Sequence, residues 1–185
     1  MLAYIFWHFP SEGVDVTAYE RSLEGFHKAL DEAGAEGFVR SRSFRIQGVP
    51  WINDSAAAYA DWYLVEGSFA LDTLNDLAVS GARRDSHDRA AGWAAGGAGA
   101  LYRLVEGEAS LEAPAFETWL SKPRGTTYED FYAWARPAVA GGELWRRQMV
   151  LGPALEFCLV ATRGVEARPE FQPRRVERAP LGTGG

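Results

Sequence analysis

The segment Thr126-Thr-Tyr-Glu129 ("TTYE") repeats Thr17-Ala-Tyr-Glu20 ("TAYE"), 109 residues apart. Each reads as a Thr-x-x-Glu capping box, in which the threonine hydroxyl accepts from the N3 backbone N–H and the glutamate reaches back to the cap. Apolar residues at helical spacing follow each box: Tyr19, Leu23, Phe26 and Leu30 in one, Tyr128, Tyr132, Ala135 and Val139 in the other. Pro137 is expected to shorten or kink the second helix.

The surroundings of the two boxes also agree. A strand-like run precedes each, "LAYIFWHF" before the first and "ALYRLVEG" before the second. Two more runs follow each. "GFVRSRSFRIQG" aligns with "ELWRRQMVLG" at Gly48 and Gly152, and "YADWYLVEG" with "LEFCLVATRG" at Leu64-Val65 and Leu159-Val160. Each half thus reads strand–helix–strand–strand. The shorter match of "WYLVEG" to "YRLVEG" fails on its flanks: a helix with Ser68 as N-cap follows the first, and a loop with Pro114 follows the second. A further helix is expected through 85–95, with Asp85 or Ser86 as its cap. The Gly/Ala stretch "AAGWAAGGAGA" then joins the halves. The alternative is a single irregular α+β domain.

A doubled β-α-β-β(-α) chain resembles a fused member of the dimeric α/β-barrel superfamily, which includes antibiotic-biosynthesis-type monooxygenases, EthD-like proteins and muconolactone isomerase-like proteins. The resemblance rests on element order over about residues 2–162. It implies an α+β fold of two ferredoxin-like repeats, with antiparallel sheets packed as a pseudo-dimer and helices outside. It also implies small-molecule pockets between sheet and helices. The expected division is 1–97 for the first repeat, 98–164 for a shortened second repeat, and 165–185 for an extended or disordered tail rich in Pro, Arg and Gly.

Composition excludes several function classes. The net charge of −6 disfavours a nucleic-acid partner, which needs a basic surface. No run approaches the ~20 apolar residues of a membrane span. The single cysteine, Cys158, suits a reducing cytoplasm. "GWAAGGAG" lacks the G-x-G-x-x-G order of a dinucleotide site, and no phosphate loop is present. No pattern assigns a cofactor.

The candidate chemistry lies on the strands and in one polar cluster. His8 sits on an aromatic strand, where it is a core residue or a pocket group, axial haem ligation included. Asp61 aligns with Glu156, and each shares a strand face with apolar neighbours; a carboxylate there needs a partner. Arg40, Arg42 and Arg45 could supply it as a structural ion pair, or Arg42 could grip a ligand. Tyr63 shares the Asp61 face. In "SGARRDSHDRA" (80–90), the contiguous Ser86-His87-Asp88 cannot converge as a triad on a helix. His87 can be a general base, with Arg83 and Arg84 binding charge, or the segment is a solvated helix junction. Trp51, in a long loop with Asn53 and Asp54, could cover a cavity. His27 reads as a helix-boundary residue. The three histidines lack metal-site spacing.

The expectation is a small-molecule-binding protein. The resemblance implies a cofactor-independent monooxygenase or isomerase acting on an aromatic or carbonyl compound; the alternative is a non-catalytic ligand-binding or protein-interaction role. A fused pseudo-dimer is expected to be a monomer.

Overall fold

The computed structural model describes residues 1–52, 57–81, 83–113, 115–149 and 152–182. Eight strands carry the chain: β1 (Leu2–Pro10), β2 (Phe38–Gln47), β3 (Ala58–Val65), β4 (Ala94–Glu106), β5 (Ala115–Leu120), β6 (Glu143–Met149), β7 (Phe157–Ala161) and β8 (Arg174–Pro180). The helices are α1 (Val16–Ala33), α2 (Ala70–Ala78), α3 (Arg83–Trp93) and α4 (Tyr128–Ala138), with a 3-10 turn at Pro169–Phe171. The strands close into an antiparallel barrel in the order β1-β3-β2-β8-β5-β7-β6-β4. Around the barrel, β4-β1-β3-β2 comes from the first part of the chain and β8-β5-β7-β6 from the second. The seams are β2–β8 and β4–β6.

Alternation along each strand sorts side chains between the barrel interior and the helix side. The interior holds Ile5, Trp7, Phe44, Trp62, Tyr102, Trp119, Trp145, Cys158 and Val176, all buried. Trp7 packs edge-on against Trp119 with ring centroids 5.4 Å apart, and Trp62 against Trp145 at 5.6 Å. Large aromatics fill a barrel of this size without a channel. Trp51 closes against the same cluster, 5.2 Å from Trp7 and 5.3 Å from Trp119. It therefore plugs the barrel interior rather than covering a helix-side cavity; Asn53 and Asp54 of its loop lie outside the described residues.

The interior also contains charge. Arg178, 2% exposed, lies 3.4 Å from Glu117, which is fully buried. Its guanidinium donates to the Ser110 carbonyl at 3.0 Å and lies over the rings of Phe44 and Trp62. Glu117 and Glu143 each accept from the indole N–H two residues on, Trp119 at 2.9 Å and Trp145 at 2.7 Å. Burial raises both carboxyls above their ordinary value, and Arg178 opposes that shift.

Several local expectations are corrected. The N-cap of α1 is Asp15, whose carboxylate accepts from Ala18 N at 2.7 Å; the cap of α4 is Thr127, which accepts from Asp130 N at 3.1 Å. Thr17 and Thr126 are not the caps, because a residue with extended backbone and a free acceptor stands one or two positions away in each case. Helix α2 begins after Phe69 with no side-chain cap, so Ser68 does not cap it. Helix α3 begins at Arg83, ahead of Asp85 and Ser86. The "linker" glycines and "ALYRLVEG" belong to one strand, β4, which pairs with β1 on one side and β6 on the other. The strand ahead of α4 is β5. The expected tail supplies β8, between β2 and β5. Its inward residues Val176, Arg178 and Pro180 alternate with exposed ones, and the arginine disguised that alternation.

Replacing Arg178 with methionine leaves Glu117 and Glu143 without their cation and should cost about 3–5 kcal/mol at neutral pH. An acid whose folded pKa is raised above the ordinary 4.5 contributes stability below that value and loses it as pH rises through the folded pKa. The deficit of Arg178→Met should therefore shrink in mildly acidic buffer, as urea unfolding at the two pH values will show.

Candidate functional site

Helix α1 lies against the outer face of β1–β3 through Tyr19, Leu23, Phe26, His27 and Leu30, a stripe at helical spacing. Helices α2 and α3 complete the layer, and a cavity of about 540 Å³ lies between them and the sheet. Its apolar wall includes Phe6, Leu23, Phe26, Leu71, Leu74 and Leu101, and its polar groups are Tyr4, His8, Tyr19, Asp61, Tyr63, Asn75 and His87. Met149, 52% exposed, stands at its rim.

The small residues of β4 make room for the aromatic wall. A Cβ on Gly97 would stand 2.5 Å from both Phe6 Cζ and the Trp7 carbonyl oxygen, and one on Gly99 would stand 2.9 Å from the Tyr4 hydroxyl. The Phe6 and Tyr4 rings thus occupy the space that side chains on β4 would need.

A chain of polar groups runs along the cavity wall. Asp61, 4% exposed, lies at the centre of β3 opposite Phe6. Its Oδ1 is 3.2 Å from His8 Nε2 and 3.2 Å from His27 Nε2. Both are ion-pair distances without hydrogen-bond alignment. Its Oδ2 accepts from the Tyr63 hydroxyl at 3.2 Å. His8 Nδ1 is 2.7 Å from the Tyr19 hydroxyl, and His27 Nδ1 is 2.7 Å from Ser41 Oγ. One tautomer assignment suits this set: each Nδ1 accepts from its hydroxyl, and each Nε2 keeps its hydrogen on the carboxylate side, within ion-pair distance. Burial opposes ionisation of Asp61, yet the charges and contacts of His8 and His27 outweigh it and hold the carboxyl below the usual carboxylate range. Burial first, then the charge of Asp61, pushes the Tyr19 and Tyr63 hydroxyls above theirs.

Two histidines and a carboxylate are also a common metal set. Here Asp61 Oδ1 itself fills the point at which both nitrogens converge. Among the described residues no group of three or more His, Cys, Asp or Glu side chains is placed to hold a metal ion. Both nitrogens of His8 face protein groups, so it does not offer the cavity a free nitrogen for axial ligation.

The structure gathers His8, Asp61, Tyr63 and His87 at one cavity. It separates the arginines from it. Arg42 pairs with Glu112 at 3.3 Å and faces a groove on the other side of α1. Arg83 donates to the Leu77 carbonyl at 2.9 Å, closing the end of α2, and Arg84 faces Asp88 at 3.6 Å on an exposed helix surface. His87 contacts Asp88 at 3.1 Å and the Phe26 ring. The charge partners of Asp61 are histidines and not the β2 arginines. Glu156 precedes β7 and accepts from Tyr128 at 2.7 Å, so it is no counterpart of buried Asp61.

Sequence reasoning missed Tyr19, His27 and Ser41. His27 lies one turn beyond Leu23 on the buried stripe, and that position was the available signal. It also missed Glu117 and Glu143, each in a Glu-x-Trp segment ("ETW", "ELW") whose two side chains share one strand face.

Comparison with protein-family models and with curated proteins finds no match. Solved structures do match in fold. A proposed monooxygenase from Lactobacillus acidophilus NCFM is 11% identical, with a TM-score of 0.54, over 96% of this chain and 91% of that one. A proposed chlorite dismutase is 12% identical, with a TM-score of 0.53, over 96% and 93%. Both belong to the dimeric α/β-barrel superfamily. This chain shares their fold, an α+β barrel with helices outside.

Two outcomes follow from the site's construction. Gly97→Ala should lower stability by about 1–3 kcal/mol. Gly96→Ala, where the nearest side-chain atom is 3.5 Å away, should be tolerated in the same chemical denaturation series. Because Asp61's folded pKa lies below its ordinary 3.8, its contribution is present above that value and is lost as pH falls toward the folded pKa. Acid unfolding should accordingly be flatter for Asp61→Asn than for the parent protein.

Proposed function

We propose that the cavity binds a small aromatic or carbonyl compound, and that the chain is a cofactor-independent monooxygenase or isomerase that begins by removing a proton from it. The Tyr19–His8–Asp61 chain on the cavity wall carries this reading. The Tyr19 oxygen takes the ligand's proton as its own passes to His8 Nδ1, and ionised Asp61 stabilises the imidazolium that results. Tyr19's raised pKa keeps it a neutral relay in the resting state. For isomerisation, the proton returns at a different carbon. For oxygenation, dioxygen takes the substrate's electron pair and then the proton, leaving a hydroperoxide on carbon.

We further propose that the two half-barrels are ferredoxin-like repeats, spanning 2–106 and 115–180, and that only the first retains a site. Strand register supports this. Setting Trp7 on Trp119 places His8 on Leu120, Tyr59 on Phe157 and Asp61 on Leu159. Setting the caps Asp15 and Thr127 together places Tyr19 on Phe131 and His27 on Val139. These five counterparts all belong to one apolar cluster. A barrel completed within one chain supports a monomer, and the lone buried Cys158 suits a cytoplasmic location. Among the described residues no helix is long and apolar enough to cross a membrane.

A non-catalytic binding protein is the second reading, favoured by the engagement of both His8 nitrogens within the protein. Deuterium exchange into uncharged aromatic ketones and phenols, followed by NMR alongside oxygen uptake, separates the two. Asp61→Asn should slow exchange by about 10²–10⁴-fold while ligand binding persists. Exchange that Asp61→Asn leaves undiminished would refute the proton-removal step, and binding without exchange would favour the second reading.

A further inference from the structure

The buried chain does not stop at Asp61. His27 and Ser41 continue it to a second concavity, the groove between α1 and β2, which Glu24, Lys28, Asp31 and Arg42 also line. We propose that His27, held by Ser41, is a positioning residue that fixes Asp61 as the ionised, oriented partner of His8. The inference rests on the reading of Asp61 and His8 as the proton-removing pair.

The geometry carries it in three steps. First, one carboxylate oxygen serves both imidazoles, with Asp61 Oδ1 at 3.2 Å from each Nε2. The His27 ring therefore constrains the same atom that faces His8, which leaves Oδ2 for Tyr63. Second, the His27 ring is itself fixed. Ser41 Oγ contacts Nδ1 at 2.7 Å and holds the ring's orientation, and the Tyr63 ring lies 5.3 Å from the imidazole. The Ser41 backbone N–H donates to Asp31 Oδ1 at 3.0 Å, which ties β2 to α1 at this point. Third, a carboxylate this deeply buried stays charged only with compensating donors. His8 alone would have to serve as both counter-charge and base; a second imidazole relieves it of the first task.

The titratable groups around Asp61 come from every packed element. β1 supplies His8 and Tyr4, α1 supplies Tyr19 and His27, and β3 supplies Tyr63. His87 on α3 lines the same cavity. On the groove side, His27 faces Asp31 of its own helix, with Arg40 and Arg42 of β2 beyond it. Of these, only the two histidines bring a compensating positive charge or N–H directly to Oδ1.

The test is a carbon-13 NMR titration of the Asp61 carboxyl in the intact, ligand-free chain, assigned by its loss in Asp61→Asn. In His27→Gln the titration should move to higher pH by about one unit or more, since a cation-capable donor is lost. In Ser41→Ala it should move the same way by less, because the ring remains but its orientation is released. Ser41→Ala decides the matter if His27→Gln does not fold. A carboxyl that titrates as in the parent in every folded variant would overturn the proposal and reduce His27 to a packing residue. The readout needs neither ligand nor turnover, so it stands apart from any failure of the proposed reaction.

Discussion

Arg178 is the residue on which closure of the barrel depends. It comes from the last strand and points into an interior otherwise filled by tryptophan. Its contacts reach both halves: Phe44 and Trp62 from the first, Glu117 from the second, and the Ser110 carbonyl from the connection between them. A buried cation is tolerated only where its charge and donors are met. Here Glu117 meets the charge, and the Ser110 carbonyl takes a donor, only when β8 sits between β2 and β5, so the pair specifies register as well as closure. Slipping β8 by one residue would turn the guanidinium to the outside and strand Glu117.

The barrel interior and the helix side of β3 handle buried acid differently. Inside the barrel, Glu117 and Glu143 are tied to indole N–H groups, a backbone amide and one arginine; burial dominates and their carboxyls are pushed up. On the helix side, Asp61 faces two imidazoles and a phenol, and the balance runs the other way. The first arrangement is sealed inside the barrel and serves the fold. The second places a charged oxygen and a titratable ring on the wall of a 540 Å³ cavity, where a ligand can reach the chain through Tyr19. Gly97 and Gly99 permit this, since the rings of Phe6 and Tyr4 need the space above β4.

Much of this was legible in the sequence, and the gaps have physical causes. In β1, Ala3, Ile5, Trp7 and Phe9 fall on one face and Tyr4, Phe6 and His8 on the other, a pattern that already marks a sheet covered on two sides. The strand–helix–strand–strand order was readable in the first part of the chain, whereas later on "ALYRLVEG" took the place that β5 holds ahead of α4. Asp61 stood out as an acid among aromatics. The helix caps slipped because Asp15 and Thr127 compete with nearby threonines for the same role. β4 read as a linker because its glycines serve neighbouring rings, not chain flexibility. β8 was hidden because its central inward residue is an arginine whose partner, Glu117, lies 61 residues earlier. His27 and Ser41 were invisible as a pair because a helix and a strand bring them together across a turn. Glu156 misled through an alignment that ignored strand register.

That the barrel's final stave is also the last to be made has a cost during synthesis. Until Arg174–Pro180 clears the ribosome, the ladders of β2 and β5 have open edges, and such edges recruit other chains. The nascent protein must hold two half-cylinders apart from strangers, with its acidic interior still unneutralised, and then seal them in one late event. A chain cut before Arg174 would lack more than a strand: it would be an open sheet joined only along the β4–β6 seam, with β2 and β5 as bare edges.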